Sequence, residues 1–206
     1  MNIIGLQNRQ KGLTCLKGDD GAELILDTEI VASKGIGQGS VIENPQALIY
    51  ESDLKRAKSR ALWYLSRADH SEKNLFDKLV RGGFSKEAST VAVKRMKELG
   101  LIDDKAYAYR LAEYLSNNGT SRKELYYKLL NKGIPSSLAK DVLQSDETDE
   151  TEKIYKLINT KYSKKLESEK GVEKVFAALI RKGFSFSDVR AVLKKYSENI
   201  ENSEDY

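Results

Sequence analysis

The chain is poor in the residues that usually carry catalysis or cross-linking. Its 206 residues include one cysteine (Cys15), one histidine (His70), one tryptophan (Trp63) and two prolines. A lone cysteine excludes an internal disulfide and fits a reducing compartment, and Cys15 reads as a small buried hydrophobe in a strand. With no second histidine and no cysteine nearby, His70 cannot anchor a zinc site. Neither a Ser-His-Asp nor a Cys-His arrangement can be assembled from these residues. His70 directly precedes the N-cap candidate Ser71, so a surface or cap-adjacent place is expected of it. Long apolar runs are also missing. Nothing approaches the roughly 20 residues of a membrane span, and the N-terminus shows no signal-peptide pattern. The expectation is a cytoplasmic protein with no catalytic residues, no metal, no cofactor and no membrane attachment.

What the chain does have is a repeat. The stretch SEKNLFDKLVRGGF from Ser71 returns as SRKELYYKLLNKGI from Ser121 and as GVEKVFAALIRKGF from Gly171, an offset of 50 residues each time. The matched positions are Leu75/Leu125/Val175, Phe76/Tyr126/Phe176, Leu79/Leu129/Leu179, Val80/Leu130/Ile180, Gly83/Gly133/Gly183 and Phe84/Ile134/Phe184. Their i, i+1, i+4, i+5 spacing is one wide face of an α-helix. Ser71 and Ser121 stand at the N-cap, and Ser121 with Glu124 suggests a capping box. Gly171 is a poorer cap, so the third helix is expected to begin a little earlier. The repeated glycine suits the left-handed C′ position. A second helix follows each corner: from Ser85, from Pro135-Ser136, and from Ser185 with Asp188 as an S-x-x-D box. Its inward face repeats as Ala92/Val142/Val192 and Val93/Leu143/Leu193. Tyr64-Leu65 recurs as Tyr114-Leu115, which places a further helix upstream of the corner. A period of this length belongs to helical arrays.

The front of the chain differs. Residues 1–44 hold short β-type runs (Asn2–Leu6, Leu13–Lys17, Glu23–Leu26) broken by Gly12, by Gly18-Asp19-Asp20-Gly21 and by Asp27-Thr28, which suggests a three- or four-stranded antiparallel meander. Gly35-Ile36-Gly37-Gln38-Gly39-Ser40 fits neither G-x-G-x-x-G nor a Walker loop and reads as a turn. From Pro45 a helix builds to Leu65, with Leu62 and Trp63 expected in the core. The expected fold is mostly α: a tandem array of three three-helix, helix-turn-helix-like repeats behind a small antiparallel β-rich segment. Its divisions are 1–44 (β-rich), 45–104 (lead-in helix and first repeat), 105–144 (second repeat), 145–152 (acidic linker), 153–196 (third repeat) and 197–206 (acidic tail). In the third repeat the first helix does not align without a gap, and an extra loop is expected over Lys161–Ser168.

Charge is uneven. Residues 53–144 hold 19 Lys/Arg against 11 Asp/Glu, a balance of +8, although the whole chain carries only +4. The run SDETDETE at 145–152 and the tail from 197 are acidic without a base. A basic body with acidic punctuation suits a polyanion or a carboxylate-rich protein surface. The cations outside the repeated core face are Lys73/Lys123, Lys78/Lys128, Arg81/Arg181 and Lys132/Lys182, extended by Arg67, Lys86 and Arg122. If the repeats stack regularly, this stripe follows a polymer. The column Phe76/Tyr126/Phe176 could stack on bases but suits core packing better, and Asp103-Asp104 reads as a helix start rather than a metal pair.

Ala61-Leu62-Trp63-Tyr64-Leu65-Ser66-Arg67, then Ser71 with Leu75, Lys78, Leu79 and Gly83-Phe84, then Leu99-Gly100-Leu101-Ile102-Asp103-Asp104 before Ala106, together resemble the RecX family, bacterial modulators of the RecA recombinase. The resemblance covers about residues 57–196. It implies three tandem three-helix units and binding along the groove of the RecA–DNA filament, limiting strand exchange, ATP turnover and co-protease activity. It makes the RecA filament the expected partner of a non-enzymatic monomer, with single- or double-stranded DNA as further candidates. The residues themselves leave two alternatives open: a helix-turn-helix-like DNA-binding protein, and a helical scaffold for a host protein. Against the first, Lys86-Glu87 and Ser136-Ser137 at the second-helix N-termini do not make a base-reading cluster.

Overall fold

The computed structural model describes residues 1–166, 168 and 170–204, leaving aside the side chains of 198–204. Two bodies, Met1–Asp103 and Asp104–Tyr206, each carry their own cores.

The first body opens on a meander of strands β1 (Ile3–Arg9), β2 (Leu13–Gly18) and β3 (Glu23–Asp27), paired antiparallel in that order. Cys15 is fully buried, as expected of a strand hydrophobe. Val41 adds only a single bridge to Asn2, and Gly35 and Gly39 turn with positive φ. Where Asp27-Thr28 suggests only a strand break, the structure has a short helix, α1 (Thr28–Ser33). Asp27 Oδ1 accepts from Glu29 N–H and caps it.

Helix α2 (Pro45–Leu65) is the spine of this body. Asn44 caps it, with Pro45 at the first position, where a missing N–H does no harm. Leu48 enters the sheet core of Ile3, Leu16, Leu26 and Val31, and Ser52 Oγ accepts from Asp27 N–H at 2.7 Å. Lys55 Nζ reaches Asp27 at 2.5 Å and Glu29 at 2.6 Å. The β-rich segment therefore packs on the same helix that leads into the first repeat. Further along, Ala57 and Ala61 enter a core with α3 (Glu72–Arg81) and α4 (Lys86–Glu98).

The expectation for Leu62 and Trp63 fails: they are 46% and 45% exposed. The buried stripe of α2 runs through Leu54, Ala57, Ala61 and Tyr64/Leu65. At 100° per residue, positions 62 and 63 are carried away from that stripe.

The second body holds the other two repeats. Helices α5 (Asp104–Asn117), α6 (Arg122–Asn131) and α7 (Ser136–Ser145) pack around Leu125, Leu129, Ile134, Ala139 and Val142. Then α8 (Glu150–Leu157), a π-helical turn at Ile158–Tyr162, α9 (Ser163–Leu166), α10 (Gly171–Arg181) and α11 (Phe186–Glu204) complete the third repeat. The extra residues expected as a loop are thus absorbed as the π turn and α9, which keep Ile158 and Tyr162 in the core. The helix expected to begin before Gly171 starts at Gly171 and has no side-chain cap. That glycine answers to packing, because a Cβ there would meet Leu166 Cα and the Leu166 carbonyl at 2.8 Å. Of the acidic tail expected over 197–206, α11 carries the backbone to Glu204, and the side chains from 198 onward lie outside the described residues.

The repeated corner takes the same form three times. Gly83, Gly133 and Gly183 have φ of 91°, 84° and 92°. Phe84, Ile134 and Phe184 then donate their N–H to the carbonyls of Leu79, Leu129 and Leu179, and each side chain is buried. This Schellman-like closure sets the two helices of every repeat at one fixed corner.

Candidate basic interaction surface

Ser121 joins two repeats as well as capping one. Its Oγ accepts from Glu124 N–H at 3.2 Å, as an N-cap should, and donates to Lys182 O at 2.5 Å. Only that half of the expected capping box forms. The Glu124 carboxylate turns instead to Lys128 at 3.0 Å and Lys182 at 3.8 Å. Gly183 makes the close approach feasible. A Cβ there would lie 2.9 Å from Ser121 Oγ and 3.1 Å from Lys123 Cβ.

The result is a cleft of about 420 Å³ lined by Lys123, Glu124, Tyr127, Lys128, Asn131, Ile180, Arg181, Lys182 and Gly183. Four cations face one carboxylate, and Tyr127 stands 55% exposed at its side. Lys123 and Arg181 are exposed and have no ion-pair partner among the described residues. A cleft of this composition can hold an extended anion.

A second cluster, at the N-terminal end of α6, holds the repeats together. Lys153, 2% exposed, reaches Asp146 Oδ2 at 3.0 Å and Glu150 Oε1 at 3.1 Å, and Ser116 Oγ donates to Asp146 at 2.8 Å. Burial pushes the Asp146 carboxyl up, but hydrogen bonds from Thr148, Ser116 and Lys153 outweigh it and hold the group at about 2. Arg122, a stripe candidate, belongs here: its guanidinium donates to Asp146 O at 2.6 Å, and its N–H faces Glu150. The acidic run from 145 therefore serves a buried joint.

Of the sequence candidates, the second body brings together Lys123, Lys128, Arg181 and Lys182, with Lys132 exposed at the C-cap of α6. In the first body Arg67 lies over the Trp63 ring, its Cζ 4.6 Å from the centroid, and Lys78 Nζ lies 5.0 Å from that of Tyr64. Arg81 donates to Asp77 O, Lys73 is exposed, and Lys86 begins α4. Phe76, Tyr126 and Phe176 are partly buried against their cores.

A family profile for the first three-helix domain of RecX matches residues 57–96. Regulatory protein RecX of Caldanaerobacter subterraneus subsp. tengcongensis is 32% identical over 169 residues, 81% of this chain and 85% of that one. The chain belongs to the RecX family. Regulatory protein RecX of Clostridium perfringens strain 13 is 28% identical over 204 residues, 95% of each chain. Among solved structures, a regulatory protein RecX shares the fold with a TM-score of 0.62 at 22% identity, covering 94% of this chain and 98% of that one. RecX from Lactobacillus salivarius matches with a TM-score of 0.55 at 28% identity, covering 69% and 96%. These likenesses agree with the mostly helical fold behind a small antiparallel sheet, and they make the chain a RecX-type regulator. Sequence reasoning missed the buried Lys153–Asp146 pair, whose signal was a lone lysine closing a run of five acids, and the exposure of Trp63.

Proposed function

We propose that this chain regulates the RecA recombinase without chemistry of its own, binding as a cytoplasmic monomer along the groove of the RecA–DNA filament. Successive repeats contact successive filament subunits or the DNA within. The occupied groove excludes incoming duplex, so strand exchange falls first, with ATP turnover and co-protease activity reduced alongside. The observation that carries this reading is the cleft between α6 and the α10 corner. Two like repeats there pool Lys123, Lys128, Arg181 and Lys182 against Glu124 alone. Part of the attraction is electrostatic, so affinity falls as salt rises.

The test reverses the two cleft cations that carry no ion pair among the described residues. Lys123→Glu with Arg181→Glu, made together, should demand at least ten times more protein for half-inhibition of RecA strand exchange, with the far-UV circular dichroism unchanged. Undiminished inhibition would remove the cleft from the mechanism. Tight binding of the unaltered chain to naked duplex, with none to the filament, would favour the helix-turn-helix-like reading instead.

A further inference from the structure

Trp63 stands in the last turn of α2 with nearly half of its surface in water, beside an equally exposed Leu62. Among the described residues Trp63 belongs to neither hydrophobic core of the first body. Two arginines lie close to its ring: Arg60 Cζ is 5.3 Å and Arg67 Cζ 4.6 Å from the centroid. Tyr64 meets the indole edge-on at 5.2 Å and carries Lys78 on its own ring at 5.0 Å. Lys78 Nζ also lies 3.3 Å from His70 Nε2. Among the described residues Arg60, Arg67 and Lys78 have no ion-pair partner, whereas Lys55, Arg95 and Lys97 of the same body each have a carboxylate.

A cation over an aromatic ring keeps its full charge; the ring fixes its position without neutralising it. The α2 end therefore presents pre-positioned cations around an exposed flat apolar surface. An acidic peptide would meet the charge and leave the indole unused. A duplex offers phosphates but hides the faces of its bases. A single strand offers both phosphates and free base faces. We propose that Trp63, with the cations of Arg60 and Arg67 placed near its ring, is a stacking post for single-stranded nucleic acid, with Lys78 beside it as a further phosphate contact. This goes beyond the filament reading and does not depend on it, because the site acts on a naked strand.

As the only tryptophan, Trp63 reports on itself. The full chain, with no recombinase present, is titrated with oligodeoxythymidylate of about 15 nucleotides, near the upper footprint of one stacking module. The expected result is saturable quenching of indole emission, with apparent affinity falling as salt rises. Arg60→Glu with Arg67→Glu keeps the indole and should weaken the quenching at least tenfold. Trp63→Ala, followed by anisotropy of an end-labelled oligonucleotide, should bind roughly fivefold or more weakly. Circular dichroism checks that each variant is folded. Absence of quenching at low salt, unweakened binding by Trp63→Ala, or equal affinity for a duplex of the same length would each overturn the proposal. Equal quenching by polyglutamate would overturn it in favour of an acidic protein partner.

Discussion

One position of the repeat makes different demands in different copies. Gly83 and Gly183 share a left-handed backbone, φ 91° and 92°, but a Cβ at Gly83 would meet nothing within 4 Å. At Gly183 it would press on Ser121 Oγ and Lys123 Cβ. Gly83→Ala should therefore cost only the conformational penalty, about 1–2 kcal/mol. Gly183→Ala should cost more, and should also loosen the Ser121–Lys182 link. Urea unfolding of the two variants makes the comparison, and equal losses would mean that the third corner is not tight. Leu79 and Leu129, both fully buried, belong to the same scale. Leu→Ala at either should cost about 2–5 kcal/mol through the cavity left behind, read as a shift in the unfolding midpoint.

Between elements, the chain relies on Asp146 and Lys153. A carboxyl held at about 2 when folded, against an ordinary value near 3.8, releases its proton more readily in the native state. The stabilisation it supplies is full above about pH 4 and disappears as pH falls through 2; by linkage it is on the order of 2 kcal/mol. Asp146→Asn should lower stability at pH 7 and flatten the acid limb of the stability curve between pH about 4 and 2. An unchanged acid limb would place the titration elsewhere. Lys153→Met leaves Asp146 and Glu150 packed without their cation and should cost about 3–5 kcal/mol. The sequence could show that Ser71, Ser121 and Ser185 cap helices, because caps are local, and all three do so. It could not show that Ser121 also grips Lys182, or that Asp146 meets Lys153 and Ser116, because these contacts come from how the repeats pack. For Leu62 and Trp63 the information is present in the sequence: the alanines at 57 and 61 mark the buried stripe, and both large apolar residues lie off it. The π turn at Ile158–Tyr162 had only a broken register as its sign.

Across the whole molecule, the strongest sequence signal was the 50-residue period, and it carries over into three helix–corner–helix copies. The chain nevertheless divides at Asp103/Asp104, after one copy and before the other two, because Ser121, Gly183 and Lys153 fuse the second and third. Cations lie on both bodies: Arg67 and Lys78 on aromatic rings in the first, Lys123 and Arg181 in the cleft of the second. On the proposed filament reading these are two modest sites on one chain, so engagement of the second is intramolecular once the first is bound. Reversing either pair should then leave only the affinity of the remaining site, a loss on the order of 100-fold, and reversing both should abolish inhibition at the concentrations tested. The salt dependence should shrink in each variant, since fewer counterions are released on binding. Inhibition of RecA ATP turnover, titrated at three salt concentrations, measures all of this. If one pair could be reversed with less than a threefold shift while the other removed all inhibition, a single body would be binding and the two-site account would fail.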